Sequence, residues 1–540
     1  MKKILYGPVA VSLMALAFAG CDEYLDRLPD DRAEVNTVEK ITNLLVSAYP
    51  THSSVAILEQ SSDNVTDNGT TYVAQPWQDQ IYRFTTDESE SNDDPRSLWN
   101  SYYACVATTN EVLQDIEIVN MPDKLRGQTA EALLCRAFNM FQLANTFCMA
   151  YNPERADGEN AYMGLPYPKK VEDKVNPQYE RGTLGELYRN IDADIEAALK
   201  LLDDSHLTAP KYHFNSRAAY AFAARFNLFY MKWDKAVEYA TKAIGEDPTK
   251  LLRNWAEYSV LAGVDDISNR YLQSNEPANL MLLNAYSIAG RLLWSGSYSR
   301  FAHNMNVISY ETCWAKSPFC PTGQSSSNNC LYWAGMQYGN SQTVRFPKLE
   351  EQFEYTDKVA GIGYPHIVDA VFTVEETMLV RAEANIHLKN YEAAITDFNR
   401  WTLSHCSAKG GGAKRPTFTV QLVNDFFEGG QTELYNYAGM DYSVVVPESW
   451  REVTIRKKFN PQGFTIEEGT QENMLQIVLF MRRLETIHQG MRFQDVKRYG
   501  IEFSHLLAGE DPVVFKAGDL RGAIQIPTDV IIAGITENPR

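Results

Sequence analysis

The chain has 540 residues, 44% of them hydrophobic and 22% charged, and a formal net charge of −19. That profile belongs to a globular protein with ample apolar material for a core, and length alone gives roughly three to four domain-sized units. So acidic a surface argues against a nucleic-acid partner, whose phosphates it would repel, and suits neutral or cationic ligands without naming one.

The first stretch, Met1 to Asp26, orders its residues as a secretory signal does: Lys2 and Lys3, an apolar run from Val9 to Phe18, then Ala19 and Gly20 before Cys21. The run is too short to cross a bilayer, which takes about 20 residues. With the cysteine at the cut site, it resembles the lipobox of a bacterial lipoprotein, in which Cys21 carries the lipid and residues 1–20 are removed. Asp22 and Glu23 follow at once and resemble the surface-export signal of Bacteroidetes lipoproteins. No later apolar run is long and uninterrupted enough for a membrane helix.

Val38, Ile41, Leu44, Leu45 and Ala48 recur at helical spacing, and residues 51–94 then read as a polar, turn-rich segment with a tight turn at Asp67-Asn68-Gly69. Asp94-Pro95 is a helix start, a cap residue followed by proline at the first helical position. The pattern predicts helices over 95–119, 123–147 and 183–202, the last with one stripe of Leu184, Leu187, Ile191, Ile195, Ala198 and Leu202. After Asn215 a helical hairpin carries Ala218, Ala219, Phe222, Phe226 and Phe229, then Trp233, Ala236, Val237, Ala240, Ala243 and Ile244. The same spacing returns far downstream in Met378, Ala382 and Leu388, then Tyr391, Ala394, Ile395, Phe398 and Trp401. Two distant hairpins with one pattern resemble tetratricopeptide helix pairs, which bury their faces only by stacking. Between them, residues 246–372 are rich in Gly, Ser, Asn and aromatics and do not read as repeat helices. Residues 406–470 are similar, with a flexible Lys409-Gly410-Gly411-Gly412. A last helix is expected from about Gln471 to Ile487. The fold expected is mainly α: a tetratricopeptide-like scaffold with a large irregular, loop-rich ligand-binding region and minor short strands.

Eight cysteines are present. With Cys21 reserved for lipid, Cys105, Cys135 and Cys148 fall in helical text as buried thiols. Cys313, Cys320 and Cys330 cluster in a loop, where a Cys320–Cys330 bridge is expected in an exported chain. No CxxC or nearby histidine pair supports zinc.

Residues 481–500 contain Arg483, Glu485, Gly490, Arg492, Asp495, Lys497, Arg498 and Gly500. Their order resembles the closing motif of the SusD/RagB family. Leu98-Trp99-Asn100-Ser101-Tyr102-Tyr103 with Asn110, Gly164-Leu165-Pro166, Arg381-Ala382-Glu383-Ala384 and the ending Ile526-Pro527 to Glu537-Asn538-Pro539 resemble that family too. The resemblance covers the whole chain after the leader. It divides the chain into the signal peptide 1–20, an N-terminal SusD-like part 21–245 and a C-terminal RagB/SusD part 246–540. Chemically, Arg483, Glu485, Arg492 and Asp495 read as charge-assisted hydrogen bonds that lock the last helices.

The resemblance implies a non-catalytic surface lipoprotein, lipid-anchored in the outer membrane and facing outward. It would capture an oligosaccharide or polysaccharide and pass it to a TonB-dependent, SusC-like transporter. Sugar rings pack their C–H faces on aromatic rings while their hydroxyls need polar partners, so the site is expected in two irregular segments. The first offers Asp67, Asn68, Tyr72, Trp77, Gln78 and Tyr82. The second offers Trp294, Tyr298, Arg300, Trp314, Trp333, Gln337, Tyr338 and Asn340. Trp77 and Trp333 are the first choices, each flanked by polar residues. No cofactor is called for. Asp63, Asp67 and Asn68 offer oxygen ligands to a structural calcium, at a spacing unlike an EF-hand loop. Three other readings stay open: a peptide-binding RagB-like receptor, a purely structural adaptor and a surface glycosidase. The last needs two carboxyls about 5–10 Å apart across the scissile bond.

Overall fold

The structure is a computed structural model and describes residues 37–173, 177–293, 298–339, 342–408, 413–428 and 455–540. The signal segment, Cys21, Trp294, Asn340, the Lys409–Gly412 loop, and Tyr435, Tyr437 and Tyr442 lie outside the described residues.

The architecture is mainly helical. Helix α1 (Val38–Leu45) starts at Thr37, whose hydroxyl accepts from the Lys40 N–H. The segment expected to be irregular contains two short helices, α2 (Val55–Gln60) and α3 (Pro76–Tyr82), with Asp67 capping the Gly69 N–H in the turn between them. Helix α4 (Pro95–Val119) begins where Asp94 accepts from Ser97 N–H at 2.6 Å. It packs on α5 (Arg126–Phe147), and α5 on α6 (Leu184–Ala198).

The two helical hairpins are α7 (Ser216–Phe229) with α8 (Trp233–Ile244), and α9 (Val374–His387) with α10 (Tyr391–His405). Although about 130 residues separate them in sequence, they stack directly, α8 against α9. Ala236, Ala240, Ala243, Ala382 and Ala394 are buried, and small side chains let the helix axes approach. Phe222 and Phe226 fill the space toward α5, meeting Phe141; each such ring contributes roughly 1.5–3 kcal/mol by burial. Ion pairs set the stacking. Arg225 of α7 grips Glu376 of α9 with contacts of 3.1 and 3.0 Å. Arg381 of α9 holds Asp397 of α10 at 2.8 Å through two nitrogens and donates to the carbonyl of Gly245 at the end of α8. Helices α11 (Val420–Glu428), α12 (Thr470–Glu485) and α13 (Arg492–Tyr499) close the frame, with α12 lying on α9. One core cluster draws on residues from Ile41 to Ile526.

The strands are more substantial than the sequence suggests. β1 (Thr66–Asp67) pairs with β3 (Phe301–Ala302), and β4 (Tyr338–Gly339) with β5 (Val344–Arg345). Strand β7 (Ile362–Thr373) runs antiparallel between β2 (Asn279–Tyr286) and β6 (Glu351–Asp357). Pro365 within β7 argues against a central strand. It lies one residue past the last β2–β7 pair, Tyr286 with His366, so its missing N–H removes no rung on that side.

The closing motif is structural. Arg492 donates to both oxygens of Asp63 at 2.7 and 2.8 Å. Arg483 reaches Asn64 Oδ1, Glu311 Oε2 and the Asp63 carbonyl at 2.7–2.8 Å. Asp495 takes Arg482 and Arg498, and Glu485 accepts from Trp401 Nε1. Gly490 sits at φ +69°, and a Cβ there would press on Val55. In that conformation its N–H donates to the buried Glu59 carboxylate. The tail therefore fastens the α2–β1 segment, 420 residues earlier in the chain, to the last helices.

Candidate functional site

The second irregular segment forms an open cleft of about 540 Å³, within the range of small-ligand sites. Trp314, Gln337 and Tyr338 line it together with Met305, Ser326, Ser327 and Gly335. Each of the first three is half-buried, so part of its surface faces the cleft. Trp314 is held by its own backbone. Its N–H donates to the Ile308 carbonyl at 2.9 Å and its carbonyl accepts from Gln324 N–H at 2.6 Å. Its indole N–H points at the Ala334 carbonyl at 3.4 Å. Gln337 Nε2 donates to the Trp333 and Ala334 carbonyls, which fixes the side chain and turns its oxygen into an acceptor for a hydroxyl. Tyr338 opens the β4–β5 hairpin. Gly339 follows at φ +122°, where a Cβ would strike the Thr343 carbonyl, so only glycine permits this turn. A ring already held in place loses little freedom when a ligand stacks on it.

Among the described lining residues none carries a formal charge. Serine hydroxyls, a carboxamide, a phenol and an indole can take ring C–H faces and hydroxyl groups together. Met305, Ser326, Ser327 and Gly335 escape sequence reasoning. The Ser-rich run Ser325-Ser326-Ser327 was the available signal, since small polar side chains fit a hydroxyl-binding wall.

The structure places the other expected residues elsewhere. Trp77 and Trp333, the first choices, are 0% and 1% exposed and cannot form an open platform. Trp77 points with Ile81, one turn later, into the core where α3 meets α2. Trp333 is enclosed by Trp255, Phe346 and His405, with the Lys348 ammonium 3.9 Å from its ring centroid. Burial lowers the Lys348 pKa to about 8. Asp67 is occupied by Arg300, the Gly69 N–H and the Ala508 N–H. Asp63 is taken by arginines, so guanidinium charges stand where a calcium ion would need the carboxylates. Tyr72 and Tyr298 are half-buried and lie outside the cleft lining. The expected Cys320–Cys330 bridge is not formed. All seven described cysteines are buried free thiols, and Cys320 Sγ donates to the Ser325 carbonyl inside its own loop.

Residues 23–228 match the family model SusD-like_3, described as starch-binding associating with outer membrane. Solved structures share the fold over nearly the whole chain. A SusD superfamily protein from Bacteroides thetaiotaomicron VPI-5482 has a TM-score of 0.57 at 16% identity, covering 93% of this chain and 98% of that one. One from Bacteroides fragilis has a TM-score of 0.58 at 14% identity, covering 93% and 99%. A SusD-like carbohydrate binding protein from Bacteroides vulgatus ATCC 8482 has a TM-score of 0.55 at 14% identity, covering 92% and 95%. Residues 23–228 are thus similar to that family, and the chain as a whole shares the fold of these solved structures. No curated protein matches the sequence. Among the described residues no helix is long and apolar enough to cross a membrane.

Asn68 supports the cleft. Its Nδ2 donates to the Ser299 and Gln342 carbonyls at 2.7 and 2.8 Å, and its Oδ1 accepts from Asn304 Nδ2. Asn304 in turn caps the Met305–Tyr310 helix, whose first residue lines the cleft. Replacing Asn68 by alanine removes these three hydrogen bonds and is expected to cost about 1–3 kcal/mol. Urea unfolding measures the loss, and an unchanged midpoint would remove Asn68 from this supporting role.

Proposed function

We propose that this chain is a cell-surface lipoprotein that captures a neutral glycan in the Trp314–Tyr338 cleft. It would pass the glycan, uncut, to a SusC-like TonB-dependent transporter of the outer membrane. The observation that carries the reading is the uncharged lining: in a chain of net charge −19, the described lining residues of the cleft present rings, hydroxyls, an amide and the apolar side chains of Met305, Ala334 and Val344, and no formal charge. A uronate or sulfated glycan would call for Lys or Arg at the site, and the overall field would oppose it. Retaining or inverting hydrolysis would need two carboxyls facing the bond, and the described lining supplies neither. The starch-binding description of the matching family model and the carbohydrate-binding relative of the same fold support the same ligand class.

The test is an array of neutral glycans, anionic glycans and peptide pools, followed by incubation with every retained ligand. Retention of neutral glycans at unchanged length is expected. Retention of peptides or polyanions alone, or the release of shortened sugars, would overturn the reading.

A further inference from the structure

The four cysteines around the cleft loop are not equivalent. Cys313 is buried behind the loop and Cys320 bonds within it. Cys330 closes the loop and meets the far end of α10. There Leu331 forms an antiparallel bridge with Cys406, and the Ser407 N–H donates to the Cys330 carbonyl at 2.7 Å. A side-chain contact joins the thiol of Cys406 to that of Cys330. Both residues are 1% exposed, and 75 residues separate them in sequence, including the β6–β7 hairpin and both helices of the second stacked pair.

We propose that Cys330 and Cys406 are a disulfide-forming pair that ties the cleft loop to the helical frame. The proposal goes beyond the ligand reading and borrows from it only the expectation that the chain is exported into an oxidising compartment. The oxidant is a disulfide donor, either a thiol oxidoreductase or oxidised glutathione. One cysteine thiolate attacks the donor disulfide, forming a mixed disulfide and releasing one donor thiol. The second thiolate attacks the protein sulfur of that bond and releases the other donor thiol. The protein gives up two electrons and two protons, and the donor is reduced by the same two electrons. Burial holds the Cys406 thiol well above its ordinary pKa, so exchange in the folded state is slow and the bond forms as the chain folds.

The consequence falls on the site. Ala334, Gln337 and Tyr338 follow Cys330 within eight residues, and Ser326 and Ser327 precede it closely. A covalent tie at Cys330 holds both walls of the cleft against α10 while unliganded, which limits the ordering cost of binding.

Two preparations of the full chain decide it: protein isolated from the membrane fraction of an exporting host, and protein reduced, unfolded and refolded with oxidised glutathione. Peptide mapping without reductant is expected to show a Cys330–Cys406 linked peptide in both, two hydrogens lighter than the reduced pair. Cys105, Cys135, Cys148, Cys313 and Cys320 are expected free. Cys330→Ser and Cys406→Ser are each expected to lower the thermal midpoint by about 2–5 °C, and the double variant no further. A refolded protein in which Cys330 and Cys406 stay free, or in which Cys330 pairs with Cys320, would overturn the proposal. A linked peptide in the refolded protein but not in the host protein supports the pair and counts against export instead.

Discussion

Replacing Arg492 by alanine is expected to cost about 3–5 kcal/mol of stability, the loss typical when one partner of a buried ion pair is removed. Arg492 is 2% exposed and Asp63 is 0% exposed. The guanidinium meets both carboxylate oxygens in a bidentate pair, the stronger form of charge-assisted hydrogen bond. Without it, Asp63 keeps Arg483 at 3.5 Å as its nearest other ion-pair partner, and it must share Arg483 with Glu311, which also holds Lys457. Urea unfolding should show a lower midpoint with unchanged slope, while glycan affinity below the transition stays near that of the wild type. Lost affinity with an unchanged midpoint would make Arg492 a ligand residue instead.

The same pair sets an acid limit. Burial alone would raise the Asp63 pKa, but the charges of Arg483 and Arg492 outweigh it and hold the carboxyl well below its ordinary range. A depressed carboxylate contributes stability that is complete above its unfolded pKa of about 3.9 and is lost as pH falls toward the folded value. The wild type should therefore lose stability steeply below about pH 4, and Arg492→Ala should show a shallower acid dependence because most of that contribution is already gone.

Replacing Trp314 or Tyr338 by alanine is expected to weaken neutral-glycan binding by about 10–100-fold each, roughly 1.4–2.7 kcal/mol. The double variant should lose retention in an affinity gel. Both rings are half-buried and face an open cleft, so truncation removes ligand contact without opening a core void, and helicity should persist. Trp77→Ala provides the contrast. That ring is fully buried, and its loss should act through a cavity in the core rather than through affinity. Wild-type retention by the Trp314/Tyr338 double variant would exclude this cleft as the binding site.

The frame was legible because helices announce themselves locally. Asp94 caps a helix where expected, the helices capped by Thr183 and Asn215 begin close to their expected starts, and alanines at helical spacing mark both hairpins. That the hairpins meet, α8 on α9, followed from their shared pattern. The site was only partly legible. Trp314, Gln337 and Tyr338 converge on one cleft, whereas Trp77 and Trp333 do not, although polar residues flank all of them. An indole buried beneath a loop and one exposed at its mouth have the same sequence signature. What separates them is contact with residues far along the chain, such as Lys348 and Trp255 around Trp333. For Trp77 a local clue existed: Pro76 can start a helix, and Trp77 with Ile81 at i, i+4 then forms an inward stripe. The β2–β7–β6 sheet was obscured by Pro365, and the Asp67 and Asn68 side chains were obscured by partners more than 200 residues away.

The most direct measurement is a crystal structure of the full chain with the neutral oligosaccharide that the array retains best. A sugar ring lying against the Trp314 indole, bounded by Tyr338 and hydrogen-bonded to Gln337, is the predicted result. A sugar seated elsewhere, with Trp314 and Tyr338 untouched, would contradict it.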